Sequence, residues 1–481
     1  MKKITIVLLL LLAPLGFISC EDQDDTAVPI SDFIWKGLNL YYLWQADVPN
    51  LADDRFANQE QLNNFLQPYT DRTELFESLL YQRGVIDRWS VIFSDYTVLE
   101  NALQGVSKST GAEFGLVYAD ASQTTVFGYV RYILPGSDAS TKNIQRGDIF
   151  YAVNGTVLTA SNYQALLGAD SYTLNLAEFV GTTLTPNGQE VSLTKTQFAE
   201  NPVYINTTIT ESGHNIGYLM YNGFYSTYNT QLNAAFAQLG SAGITDLVLD
   251  LRYNGGGSVQ TATYLASMIT GQFNGQLFAR QQWNERLQAH LEDENPGALR
   301  NLFTDNMGGQ AINSLNLNRV YILTTQSTAS ASELVINCLK PYIDVVVIGD
   351  TTTGKNVGSI TLYDSKDFSR DNLKDGHRYA MQPIVLRTVN ADDFGDYSAG
   401  IVPDFQLDED YGNMGQLGSP DEPLFALAIA KITGNGRHGN FNGPGTTFRT
   451  FKGSKEMRRF GTEMFVDGLP EGSLNHIKEL Q

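Results

Sequence analysis

The feature that most constrains this chain is an alternation of strand and helix patterns from about Tyr204 to Gly434. "NIGYLMYNGF" reads as a strand, "TQLNAAFAQLGSAG" as a helix, "DLVLDLRYNGGG" as a buried strand opening into a glycine turn, and "SVQTATYLASMITG" as the next helix. "RVYILTT" and "DVVVIGD" continue the series, one on each side of a helix that starts in "STASASELV". Parallel neighbours need long crossovers, and helices supply them, so the pattern predicts an α/β unit with a mainly parallel sheet. Sites on such sheets assemble in loops at the carboxyl ends of the strands. Both the triple glycine and the serine cluster fall in those loops.

The flanking segments have other periods. Residues 30–96, with "DFIWKGLNLYYLW" and "ELFESLLYQRGVIDRW", carry apolar residues at helical spacing and predict a small helical domain. Residues 97–203 show short alternating runs between Gly, Pro, Asp and Asn, the signature of a β-rich domain. Within them "PGSDASTKNIQRGDIFYAVNGTVL" resembles the second half of a PDZ domain, with a Gly147–Asp148 turn, a strand and an Asn154–Gly155 hairpin turn. The resemblance implies a peptide-binding loop in "GAEFGL", placing Phe114, Gly115 and Leu116 where a terminal carboxylate and an added strand would dock. Residues 273–318 read as a polar insertion bordering the site, and 435–481 as an irregular extension.

A chain of 481 residues implies several domains. Its net charge of -20, from 52 acidic and 32 basic residues, argues against nucleic acid or an anionic membrane surface as a partner. Lys2 and Lys3 precede an apolar run from Ile4 to Ile18, too short to span a bilayer comfortably and shaped like a secretory signal. "GFISC" followed by "EDQDD" resembles the lipobox of bacterial lipoproteins, although Phe17 stands where Leu is usual. That resemblance implies a signal peptide over 1–19, lipidation of Cys20, a tether over 20–29 and a lipid-anchored place in the cell envelope, at the outer membrane. Cys338 is the other cysteine, so a lipidated Cys20 leaves no internal disulfide, and Cys338 reads as a core side chain. No Cys/His cluster has metal-ligand spacing, and no cofactor is expected.

The five histidines avoid the strand-to-helix loops, so nothing in the sequence points to a Ser-His-Asp arrangement. Ser327, Thr328 and Ser330 could cap the helix, and Ser330 with Glu333 fits a capping box. A nucleophile there is equally open, because helix-start amides can hold an oxyanion. Lys355, in "GDTTTGKNVGS", returns to the same sheet edge after one helix and one strand. Desolvation lowers a lysine pKa by several units and makes it a base for serine. "DLRYNGGG" lacks the spacing of a dinucleotide fingerprint but suits an amide-donor turn.

Taken together, "STASASELV", a lysine 25 residues after Ser330 in "TTGK", the preceding "DLRYNGGG" and the PDZ-like segment resemble the carboxyl-terminal processing peptidases, the S41 or tail-specific protease family. The resemblance implies a catalytic domain over 204–434 with a ClpP/crotonase-like core. It makes Ser330 the nucleophile, Lys355 the base, and the amides of Ala331 and of Gly256 or Gly257 the oxyanion hole. The implied activity is serine endopeptidase action on unfolded polypeptides captured by their C-termini. Many members place a glutamine four residues after the lysine to orient it, whereas this chain has Ser359, the remaining candidate for that role. Ligand-binding relatives share the scaffold, so a non-catalytic peptide or small-ligand binding protein is the alternative. The Ser330–Lys355 pair weighs against it.

Overall fold

The computed structural model describes residues 28–434, 448–458 and 460–470. The expected signal peptide and Cys20 lie outside the described residues. Among the described residues, no helix is long and apolar enough to cross a membrane.

The alternating segment forms a six-stranded sheet in the order Val203–Glu211, His214–Tyr221, Asp246–Asp250, Arg319–Thr324, Asp344–Gly349 and Phe405–Gln406. The first pair is antiparallel and every later pair parallel. The strands sort their side chains with period two. Leu219, Tyr221, Leu247, Leu249, Val320, Ile322 and Val347 face the helices Asn229–Ser241, Val259–Thr270 and Ala331–Leu339. Tyr218, Met220, Val248, Tyr321, Leu323 and Ile348 pack with the helix Pro423–Thr433 instead. Both faces of the sheet are therefore covered. Every residue of Ala331–Leu339 is buried, the polar Ser332, Glu333 and Asn337 included.

Cys338 lies in that helix, fully buried, and burial pushes its thiol well above the usual range. In the chain lacking residues 1–20, iodoacetamide at pH 8 is expected to leave Cys338 unmodified until urea unfolds it, as read by intact mass. Stoichiometric labelling of the folded chain would contradict the burial.

A second six-stranded sheet runs Gly257–Ser258, Met464–Phe465, Val357–Ser359, Ile384–Val389, Leu277–Trp283 and Arg300–Leu302. Residues 273–318 thus contribute structural strands rather than a polar border to the site. Their helix Glu285–Glu294 turns Leu287 and Leu291 into the same core as Ile34, Leu38 and Leu75 of the N-terminal helices. The cause is sequence-local: the i, i+4 pair Leu287 and Leu291 gives an otherwise polar helix one apolar stripe.

The β-rich unit holds strands Ala112–Tyr118, Val126–Ile133, Ile149–Val153, Ser171–Val180 and Thr183–Thr194. Asn154 and Gly155, with φ of 51° and 74°, make the expected hairpin turn. The C-terminal segment is not merely irregular. Its residues Thr450–Gly453 form an antiparallel strand on Ala112–Tyr118, with Gly453 opposite Gly115 and Lys452 opposite Leu116.

Candidate active site

Ser330 stands between the strand Arg319–Thr324 and the helix Ala331–Leu339 with φ 65° and ψ -116°. A non-glycine residue in that region carries strain of roughly 1–3 kcal/mol, held only because the surroundings over-determine it. Glu333 is the main restraint. The Ser330 N–H donates to Glu333 Oε2 at 2.7 Å, the carboxylate half of the anticipated capping box. The Ser330 hydroxyl stands toward the Glu333 N–H in the other half of the box, but without the geometry of a hydrogen bond. It is buried and makes no hydrogen bond among the described residues.

Glu333 is itself fully buried and accepts from two further amides, Gly354 at 2.7 Å and Lys355 at 2.8 Å, and from the Thr352 hydroxyl. Burial pushes its carboxyl up, and these donors pull it back. One side chain therefore pins the lysine loop to the serine turn.

Lys355 is fully buried. Burial lowers its pKa, opposed by the nearby carboxylates of Glu463, Asp87 and Glu333. Its Nζ lies 5.6 Å from the ring centre of Trp89. Nζ donates to the Thr462 carbonyl at 2.7 Å and to Glu463 Oε2 at 3.0 Å, so its partners come from the C-terminal segment and not from Ser330. Burial in turn pushes the Glu463 carboxyl up to about 7. Ser359 does not orient Lys355, contrary to expectation. Its hydroxyl donates to the Met464 carbonyl at 3.2 Å and accepts from Gln382 at 3.1 Å, because Val357–Ser359 is a sheet strand whose neighbours are Met464–Phe465 and Ile384–Val389.

The glycine turn is built by Asn254. Its side chain donates to the Tyr221 carbonyl at 2.8 Å, and its Oδ1 accepts from the Gly256 N–H at 2.9 Å. That bond commits the Gly256 amide to the turn and removes it as an oxyanion donor. The Gly257 N–H instead points into the cleft, where it meets the carbonyl of Glu463. The Ala331 N–H, in the first turn of its helix, has no intrahelical acceptor. Glycine is required here by contact as well as by φ, which is 109° at Gly256. A Cβ on Gly256 would lie 2.1 Å from the Glu463 carbonyl oxygen, 2.7 Å from Ser330 Cβ and 3.0 Å from Ala331 N. Those three atoms thus converge on one point.

Phe114, Gly115 and Leu116 do not form an open peptide edge. Phe114 and Leu116 are buried, the Phe114 N–H donates to the Ser454 hydroxyl at 3.0 Å, and Thr450–Gly453 fills the strand position beside Gly115. An unpaired strand edge is a template for any extended chain, and this chain's own C-terminal segment has taken it. His214 pairs with Asp246 at the amino ends of their strands, the opposite sheet edge from Ser330. Among the described residues no group of side chains could hold a metal ion.

A strained serine with a free hydroxyl, a buried lysine whose amide shares its carboxylate and a glycine turn packed against the serine, all on a covered parallel sheet, mark a serine-type peptidase. Its family follows from comparison: residues 215–404 match peptidase family S41 and residues 30–91 match the Peptidase S41 N-terminal domain, and the chain belongs to that family. It is 24% identical over 357 residues to the chloroplastic C-terminal processing peptidase of Tetradesmus obliquus, covering 71% of this chain and 70% of that protein. It is also 24% identical over 304 residues to the carboxyl-terminal-processing protease of Picosynechococcus sp., covering 62% of this chain and 65% of that protein. The chain thus spans about two thirds of the length of these curated relatives. A crystal structure of a candidate S41 protease from Bacteroides fragilis superposes with a TM-score of 0.64 at 26% identity, covering 84% of this chain and 97% of that one.

Proposed function

We propose that the protein is a lipid-anchored envelope endopeptidase that cuts unfolded polypeptides, with Ser330 as nucleophile and Lys355 as general base on a ClpP/crotonase-like core. The observation that carries this reading is the free, buried Ser330 hydroxyl on a strained turn tied through Glu333 to a desolvated lysine. Neutral Lys355 takes the Ser330 proton as Oγ attacks the scissile carbonyl, and the Ala331 and Gly257 N–H groups hold the resulting oxyanion. The ammonium then gives its proton to the leaving amine as the C–N bond breaks. Water, deprotonated by Lys355, cleaves the acyl ester and regenerates Ser330. Cys20 would carry the lipid, and substrates would be polypeptides presenting extended, unstructured C-terminal segments.

The test is degradation of an unfolded reporter by the chain lacking residues 1–20, with and without residues 461–481, beside labelling by a fluorophosphonate probe. Cleavage together with probe mass on the peptide containing Ser330 is expected. Failure of both forms to cleave or label would overturn the assignment in favour of a binding protein on this scaffold.

A further inference from the structure

The C-terminal segment crosses the cleft as a strand. Met464–Phe465 pairs in parallel with Gly257–Ser258 on one side and with Ser359 on the other, so it joins the oxyanion turn to the lysine strand. Glu463 sits at the reacting centre: its N–H donates to the Gly255 carbonyl at 2.9 Å, and its own carbonyl accepts from the Gly257 N–H. An extended polypeptide bound for cleavage would place a carbonyl at the same amide, close to Ser330 Cβ and Ala331 N. The residue before it, Thr462, gives its carbonyl to Lys355. Gly461 brings its carbonyl so close to Gly255 that a Cβ there would stand 2.3 Å away.

We infer that residues 461–467 are a built-in pseudosubstrate, an intramolecular extended peptide that fills the polypeptide cleft and holds both the Gly257 amide and Lys355 Nζ. The inference rests on the proposed peptidase reading of Ser330 and Lys355. Three features make the segment an inhibitor rather than a substrate. Its Glu463 carboxylate pairs with Lys355 Nζ at 3.0 Å, which occupies the lysine and opposes the neutral form that would accept the serine proton. Met464 and Phe465 are buried, which retains the segment in the cleft. Upstream, Thr450–Gly453 occupies the strand edge of the β-rich unit, and Lys455 is tied to Glu200 at 3.1 Å and to the Asn222 carbonyl at 2.7 Å. The segment is thus delivered to the cleft from a fixed anchor, at high effective concentration, and a free polypeptide must displace it to bind. With it in place, the cavity beside the glycine turn is only about 40 Å³.

The test compares three proteins lacking residues 1–20: one otherwise intact, one ending at Phe460, and the intact form carrying Glu463→Gln. The rate of fluorophosphonate labelling at Ser330 is the first readout. The shortened chain is expected to label at least tenfold faster than the intact one, and Glu463→Gln severalfold faster. A synthetic peptide of residues 461–470 should restore slow labelling to the shortened chain and bind its Ser330→Ala form by fluorescence anisotropy. Should circular dichroism show the shortened chain unfolded, the Glu463→Gln rate decides alone. Equal labelling of the folded forms without peptide binding overturns the inference, as does cleavage of an unfolded protein by the intact chain at the shortened chain's rate. The latter leaves the peptidase reading standing. Peptide binding and faster labelling without cleavage of any polypeptide would support the pseudosubstrate and sink the peptidase reading instead.

Discussion

Ser330→Ala is expected to lower cleavage of an unfolded protein by about 10⁴-fold or more, while the melting temperature stays level or rises. The rate loss follows from the proposed roles, because a nucleophile acts as a unit with its base and losing either member costs nearly as much as losing both. The stability effect follows because the hydroxyl is buried without a hydrogen bond, and deleting it removes a desolvated, unsatisfied group. Ser330→Gly should go further and raise the melting temperature, since glycine adopts φ 65° without the Cβ penalty. A chain that is more stable and inactive is the signature of strain held for chemistry. Ser330→Ala retaining near-full turnover, with cleavage and melting measured on one preparation, would sink the nucleophile assignment.

Arg252→Met carries the largest expected cost in stability, about 3–5 kcal/mol at pH 7 by urea denaturation. The guanidinium is fully buried and pairs with Asp250 at 2.8 Å, Glu422 at 2.6 Å and Glu409 at 3.3 Å. Removing it leaves three enclosed carboxylates, Asp250, Glu409 and Glu422, with one counter-charge fewer. Arg146, at 2.9 Å from Glu409, reaches only part of the cluster. The pH dependence has a definite sign. Burial pushes the Glu409 carboxyl up, but Arg146 and Arg252 outweigh it and hold it below its usual range. A depressed carboxylate stabilises the native chain above its unfolded pKa and loses that contribution as pH falls through the folded value. Without Arg252 the Glu409 carboxyl loses part of what holds it down and takes up a proton more readily, so the deficit should shrink from pH 7 toward pH 4. A deficit that is constant with pH would mean that packing, not charge, sets the cost.

The parallel sheet was legible because apolar strand runs such as Asp246–Asp250, Arg319–Thr324 and Asp344–Gly349 alternate with helices of at least 9 residues, which is the pattern of a crossover sheet rather than the period of any single strand. Ser330 and Lys355 were legible for a related reason: topology returns the chain to one edge after one helix and one strand. The partner of Lys355 was not. Glu463 lies 108 residues further on, and its strand, Met464–Phe465, is two residues long, too short for any period to show. Which glycine amide faces the cleft was also beyond sequence reasoning, because the Asn254 side chain decides it by taking the Gly256 N–H. Trp89 beside Lys355 was hidden in an aromatic-rich stretch where most rings are core. The PDZ-like loop misled for a physical reason: a strand edge ready for an external peptide is equally ready for the chain's own, and Thr450–Gly453 reaches it first.

Glu333 has a consequence for how this site can be regulated. By accepting from the amides of Ser330, Gly354 and Lys355 at once, it removes the hinge between the two loops. The backbone segments that carry the proposed nucleophile and base are thereby held in one fixed relation. Control by prying them apart would cost several buried bonds together, so the accessible variable is traffic through the cleft. A switch in this molecule is therefore a gate on entry, and its sensitivity is set by competition among extended chains for one slot.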